Sequence, residues 1–181
     1  MVGVSSARDD RELTVFFGFG APPVAFDHRD LAWQRRFVAD RFAGMGWETP
    51  RLLDALRAAD DLYFDAMTQV RMPAWSRDRV ALVGDAAYAP SPMSGQGTSL
   101  ALVGAFVLAA ELARAPGDHA AAFAAYEARV RPFALANQQL ALDAIAAGGP
   151  PDTDMLARVV SAIELPELIS PARSIRARTA G

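Results

Sequence analysis

The sequence predicts an α/β chain of α+β character, with small strand elements and a helix-rich C-terminal part. Three observations carry that prediction. The run Val80 to Val83 is wholly apolar and ends in Gly84-Asp85, as a central strand does where it meets a turn. A loop rich in Pro, Gly and Ser then opens onto a strongly apolar helical stretch at 98–113. Beyond Gly117-Asp118, segments of helical spacing fill most of the chain to Ala147.

Taken in order, residues 12–19 (ELTVFFGF) combine β-favouring side chains with flanking turn signals and read as a strand. A helix opened by Asp27 or His28 runs to about Phe42, with Leu31, Phe37, Val38 and Phe42 near helical spacing, and Gly44 and Gly46 stop it. Thr49 as N-cap and Pro50 at the first helical position start a second helix, with Leu52, Leu53 and Leu56 as its buried stripe. Residues 62–71 alternate like a strand, placing Tyr63, Asp65, Met67 and Gln69 on one face. Pro73 ends it, and a boundary is expected near 72–78, where the composition changes.

Val80–Val83 then reads as a strand covered on both faces, followed by helix 98–113. Asp118 caps a helix from His119 to about Val130; Pro132 breaks or kinks it, and a further helix reaches about Ala147. Gly148 to Pro151 form a linker. One short helix near 153–164 follows, with Pro166 and Pro171 keeping the remainder irregular.

Composition narrows the function classes. The chain has 181 residues, enough for one domain or pieces of two, and a net charge of -3, which offers no general attraction to nucleic acid or anionic membrane. It has no Cys, so disulfides, thiolate catalysis and Cys-bound metals are excluded. His28 and His119 lie too far apart in sequence for a local metal pair and read as surface residues at helix starts. No signal-peptide pattern opens the chain, and the apolar run Leu100–Ala110 is short of the roughly 20 residues a membrane span needs, so a cytoplasmic protein is expected. Arg173, Arg176 and Arg178 form a basic tail that reads as solvated.

Chemistry concentrates between Arg79 and Leu112. Asp85, at a strand end, presents a carboxylate suited to accept from sugar or ribityl hydroxyls, although an isolated Gly-Asp pair reads first as a turn or helix cap. Gly95-Gln96-Gly97 leads into a helix whose first turn holds Thr98 and Ser99. Glycines there permit close backbone approach, and the unpaired first N–H groups and the helix dipole favour negative charge. Pro90 and Pro92 stiffen the intervening loop. Gly18-Phe19-Gly20 follows a strand but continues as Ala21-Pro22-Pro23, so it is a turn and not a dinucleotide fingerprint.

Gly84-Asp85-Ala86-Ala87-Tyr88, Pro90, Pro92 and Gly95-Gln96-Gly97 resemble the second flavin motif of class A FAD-dependent monooxygenases, the aromatic hydroxylases. Trp75, Arg79-Val80, Tyr126-Glu127 and Arg131-Pro132 match around it, and the resemblance extends over about residues 10–147. It implies that Asp85 binds the FAD ribityl chain. The Gly95, Gln96 and Gly97 backbone would face the pyrimidine edge, Pro90 and Pro92 would line the ring, and the first turn at Thr98 and Ser99 would stabilise anionic reduced flavin. It further implies NADPH or NADH as transient reductant and oxygen transfer to an aromatic or polyketide-like small molecule. Two departures stand out: Tyr88 replaces the family's His, and Ser99 stands where Asn is common, weakening or removing a side-chain contact to the flavin carbonyl.

The family's opening GxGxxG turn and its mid-chain Asp-Gly motif are not in this sequence, so the resemblance is to the C-terminal half of a partial FAD/NAD(P)-binding fold. Residues 1–72 would be a fragment of the substrate-binding sheet, 73–147 the C-terminal part of the FAD-binding domain, and 148–181 linker and tail. The favoured reading is a half that needs the dinucleotide-binding half, lost by truncation or supplied in trans, for activity. A non-catalytic remnant serving as an interaction module is the alternative, and marginal stability or self-association is expected from the apolar helix 98–113.

Overall fold

In the computed structural model, residues 1–6 and 12–167 are described, and they fall into two units, Met1–Ala66 and a second beginning at Met67, each with its own core. Arg173, Arg176, Arg178 and Pro171 lie outside the described residues. The fold is α+β and helix-rich, as the sequence predicts.

In the first unit, β1 (Val2–Ser6) pairs antiparallel with β2 (Leu13–Phe17), in register from Val2 opposite Phe17 to Ser6 opposite Leu13. The first strand has no sequence signature of its own, being VGVSS, and is supported by its β-rich partner. α1 (Leu31–Phe42) begins later than expected: Asp30, not Asp27 or His28, is the N-cap and accepts from the Trp33 N–H at 2.9 Å. α2 (Thr49–Ala58) places Thr49 inside the helix, buried, with Glu48 at the cap position. A cap needs its hydroxyl free for the backbone, and Thr49 is packed instead. Val38, Phe42, Leu53 and Leu56 form the core, against which Val2, Phe17, Phe19 and Phe64 pack.

The predicted strand at 62–71 does not form. Tyr63 is 85% exposed, with its hydroxyl on Asp65 at 3.1 Å. Residues 67–72 belong to the second unit, where the Val70 N–H donates to the Ala89 carbonyl (3.1 Å) and the Gln138 side-chain amide to the Val70 carbonyl (2.7 Å). The backbone partners that a sheet would supply come from a turn and a helix instead. Within the second unit the Gln69 amide donates to the carbonyls of Pro90 (3.1 Å) and Gln138 (2.7 Å).

The strand expected at Val80–Val83 is likewise reduced. β3 (Ser76–Arg77) and β4 (Val80–Ala81) form a two-residue antiparallel hairpin, and Val80 is 64% exposed. Burial on both faces requires neighbouring strands, and β4 pairs only with β3 among the described residues.

Helices build the rest: α3 (Asp85–Tyr88), α4 (Gly97–Arg114), α5 (His119–Ala147) and α6 (Thr153–Val160). Asp118 caps α5 as predicted, accepting from Ala121 at 3.0 Å. α5 continues unbroken through Pro132, because Val130, Phe133 and Ala134 bury on either side of the missing N–H and hold the turn in place. α6 ends at Val160 rather than 164, with Val159 buried against the core.

α4 is long and apolar enough, by length and composition, to cross a membrane. One stripe of it is packed: Leu100, Gly104, Val107 and Ala110 are buried, and the buried Glu111 carboxylate pairs with Arg114 (3.2 Å) and Arg129 (3.3 Å). It is covered along one face rather than on several sides, and Leu102 is 67% exposed.

Gly104 is where α4 receives Tyr88. A Cβ built there would lie 1.9 Å from the Tyr88 hydroxyl and 3.1 Å from the ring carbon bearing it. Gly104→Ala should therefore destabilise by about 1–3 kcal/mol despite the better helix propensity of Ala. In a Tyr88→Phe background the same change should cost less. A thermal-denaturation double-mutant cycle reads that coupling, and strict additivity would contradict it.

Candidate functional site

The turn that carries Asp85 starts at Gly84, whose φ of 67° and ψ of −141° reverse the chain in a region open to glycine. A Cβ at Gly84 would also press on the Ala101 Cβ at 3.1 Å. The Gly84 carbonyl then accepts from the N–H groups of Ala87 and Tyr88, both at 3.0 Å, closing the single turn of α3 with Asp85 first and exposed.

The following loop is held by serines. Ser91 adopts a φ of 79°, unusual for a residue with a Cβ, and its carbonyl accepts from the buried Ser94 hydroxyl at 3.0 Å. Ser94 Oγ in turn accepts from the Gln96 N–H at 3.1 Å. Backbone strain of this kind persists where surrounding contacts fix it, and such positions cluster at binding sites. α4 then begins at Gly97, with its first intrahelical bond from Leu100 to Gln96 at 2.9 Å. The N–H groups of Gly97, Thr98 and Ser99 precede that bond, so they are free for a ligand, at the positive end of an 18-residue helix.

Between the two lies an open groove of about 420 Å³, with Val83, Gly84 and Asp85 on one side and Gly97, Thr98, Ala101 and Leu102 on the other. Its glycines are bare for different reasons. Gly84 needs its backbone angle. Gly97 does not have a positive φ, and a Cβ there would meet nothing within 4 Å. The protein's own packing therefore gives no reason for glycine at 97.

Helix α5 brackets this site from behind. Tyr88, 1% exposed, packs against Trp75 with the rings tilted at 43° and 4.3 Å between centroids, and its hydroxyl lies 3.0 Å from that of Tyr126. The Tyr126 hydroxyl donates to the Leu82 carbonyl at 3.0 Å. Burial, and then the hydrogen bond with Tyr88, push the Tyr126 phenol well above its usual range, so it stays protonated. Glu127 accepts from the Trp75 N–H at 2.9 Å and pairs with Arg131, whose guanidinium sits 4.6 Å over the Trp75 ring. Arg131 also donates to the carbonyls of Met72 and Pro73.

Comparison with known proteins bears on what the groove holds. The FAD binding domain family matches residues 63–141. A flavin-dependent monooxygenase from an unidentified prokaryote is 46% identical over 135 residues, 75% of this chain and 34% of its own length. One from Legionella longbeachae is 44% identical over 139 residues, 77% of this chain and 36% of its own. The crystal structure of tetracycline destructase Tet(55) superposes with a TM-score of 0.72 at 39% identity, covering 92% of this chain and 48% of that one. The chain carries a stretch of the FAD binding domain family and is similar over most of its length to flavin-dependent monooxygenases. It spans less than half the length of these relatives.

The residues of the groove fit FAD: a bare, unconstrained Gly97, an exposed carboxylate opposite, and unpaired helix N–H groups between them. Of the residues singled out in the sequence, the structure brings Asp85, Gly97 and Thr98 to the groove. Pro90 is buried, with its carbonyl bound by Gln69; Pro92, Gly95 and Ser99 are exposed, Gln96 is half-buried, and none of these five lines the groove. Tyr88 turns inward to Tyr126 and Gly104, so the family's imidazole is replaced by a packed phenol. Ala101 and Leu102 also line the groove, one helical turn after Gly97 and Thr98. Gly104 has no signal in the sequence apart from its partner.

Proposed function

We propose that this chain forms the ribityl and isoalloxazine side of the FAD site in a monooxygenase acting on aromatic or polyketide-like small molecules, with NADPH or NADH and dioxygen as co-substrates. The observation that carries the reading is the groove between Asp85 and the start of α4, with Gly97 bare toward it. Held by Asp85 and the first turn of α4, FAD would supply the redox chemistry of a monooxygenase, with the nicotinamide as electron source and dioxygen as oxidant. The Asp85 carboxylate accepts hydrogen bonds from ribityl hydroxyls and so fixes the chain that leads to the ring. The Gly97 and Thr98 N–H groups, with the α4 dipole, favour negative charge on the pyrimidine edge. Leu102 and Val83 add an apolar wall that limits water beside the ring.

The name of the destructase neighbour identifies tetracycline as its target, which supports a fused-ring, polyketide-like substrate here. The adenine and pyrophosphate would be held by a dinucleotide-binding half, supplied in the same protein or in trans, and without it the chain is inactive. Exposed Leu102 and Leu112 on α4 favour two corollaries: self-association when that half is absent, and the second reading of a non-catalytic interaction module. A cytoplasmic location suits the nicotinamide supply.

The test mixes the protein with the dinucleotide-binding half of a relative, FAD, NADPH, dioxygen and tetracycline, and reads products by mass spectrometry. A product one oxygen atom heavier, absent when either half is omitted, is expected. Nicotinamide oxidation that never yields an oxygenated product would overturn the monooxygenase reading.

A further inference from the structure

Resting on that reading of the groove, we infer that Tyr126 is a positioning residue for Asp85: its single hydroxyl closes both ends of the turn that presents the carboxylate. The Leu82 carbonyl can only accept, so the Tyr126 proton is committed to it at 3.0 Å. The Tyr88 hydroxyl, 3.0 Å away, must then be the donor to the Tyr126 oxygen. Leu82 lies three residues before Asp85 and Tyr88 three residues after it. One buried oxygen on α5 thus receives one flank of the turn and binds the other.

The turn needs such a clasp. α3 is four residues long, too short to hold itself, and its internal bonds are the two to the Gly84 carbonyl. Its entry, Gly84, has a backbone freed by the lack of a Cβ. Gly104 adds an independent sign that the clasp is built to measure. The Tyr88 hydroxyl occupies the space of a Cβ there, so α4 yields room for this one contact. The same helix starts at Gly97, so the clasp ties Asp85 to the element that forms the opposite wall of the groove.

A purely structural tyrosine pair would loosen the whole unit when broken, whereas a clasp loosens its own turn. The experiment compares amide hydrogen exchange in the flavin-free protein with flavin affinity, for the wild type, Tyr126→Phe, Tyr88→Phe and Asp85→Ala. In Tyr126→Phe the Ala87 and Tyr88 amides should exchange about tenfold faster relative to amides within 133–144, and FAD should bind about tenfold more weakly. Tyr88→Phe keeps the bond to Leu82 and should give a smaller change in both. Exchange at 87 and 88 that is unaltered, or faster only in proportion to the rest of the unit, would overturn the inference, and this readout holds even where FAD affinity is low. If Asp85→Ala weakens FAD and Tyr126→Phe does not, the clasp is wrong and the groove assignment stands. If Tyr126→Phe loosens the turn while Asp85→Ala leaves affinity unchanged, the clasp stands and the ribityl assignment falls.

Discussion

Asp85→Ala is expected to weaken flavin binding by about ten- to a hundredfold, with little change in melting temperature. A hydrogen bond to a charged group contributes about 1.5–3 kcal/mol, which converts to that range of affinity. The fold has no use for the carboxylate: Asp85 is exposed at the head of α3, and the turn closes through the Gly84 carbonyl and the tyrosines. Substitution at such a position changes stability by about 0.5 kcal/mol or less. Riboflavin, which carries the ribityl chain and ring without the adenine, should lose the same factor as FAD. Asp85→Asn, which keeps an acceptor but not the charge, should fall between. Fluorescence titration of both flavins measures this, and equal affinities for Asp85→Ala and wild type would remove Asp85 from the site.

Trp75→Ala should cost the second unit about 3–5 kcal/mol, the range for deleting a buried aromatic. Trp75 is 2% exposed and meets Tyr88 at 4.3 Å, Tyr126 at 5.7 Å and the Arg131 guanidinium at 4.6 Å. Its removal opens a cavity under the Asp85 turn and leaves Arg131 without its ring. For a unit of this size, each kcal/mol is about 4–8 °C, so the transition should fall by well over 10 °C. Trp75→Phe should recover part of the loss. Calorimetry decides, and a drop of only a few degrees would show that the bracket on α5 is not what holds the hairpin.

The parts of this architecture that local chemistry dictates were legible in the sequence. The Asp118 cap, helix α4 and the Gly84-Asp85 turn each follow from a few neighbouring residues, whereas the continuity of α5 through Pro132 does not. The strand readings at 62–71 and 80–83 failed for a common reason. Alternation or a run of apolar residues describes a segment that could join a sheet, but pairing depends on partners elsewhere. Here residues 67–72 bond to the 87–90 turn and to Gln138, and Val80 pairs with a two-residue strand and stays exposed. The bracket of Tyr126, Glu127 and Arg131 could be matched by resemblance but not explained. Glu127 reaches Trp75 across 52 residues, a separation that no local pattern encodes. Gly104 makes sense only once Tyr88 is seen to point at it.

The central claim is that flavin lies in the groove between Asp85 and the start of α4. Adding riboflavin to the isotopically labelled protein and following backbone amide shifts tests it most directly. The account predicts shifts concentrated at 83–86 and 97–102, saturating together. Shifts gathered instead around the smaller concavity by Phe42, Met45 and Leu53 in the first unit, with 83–86 and 97–102 unmoved, would contradict it.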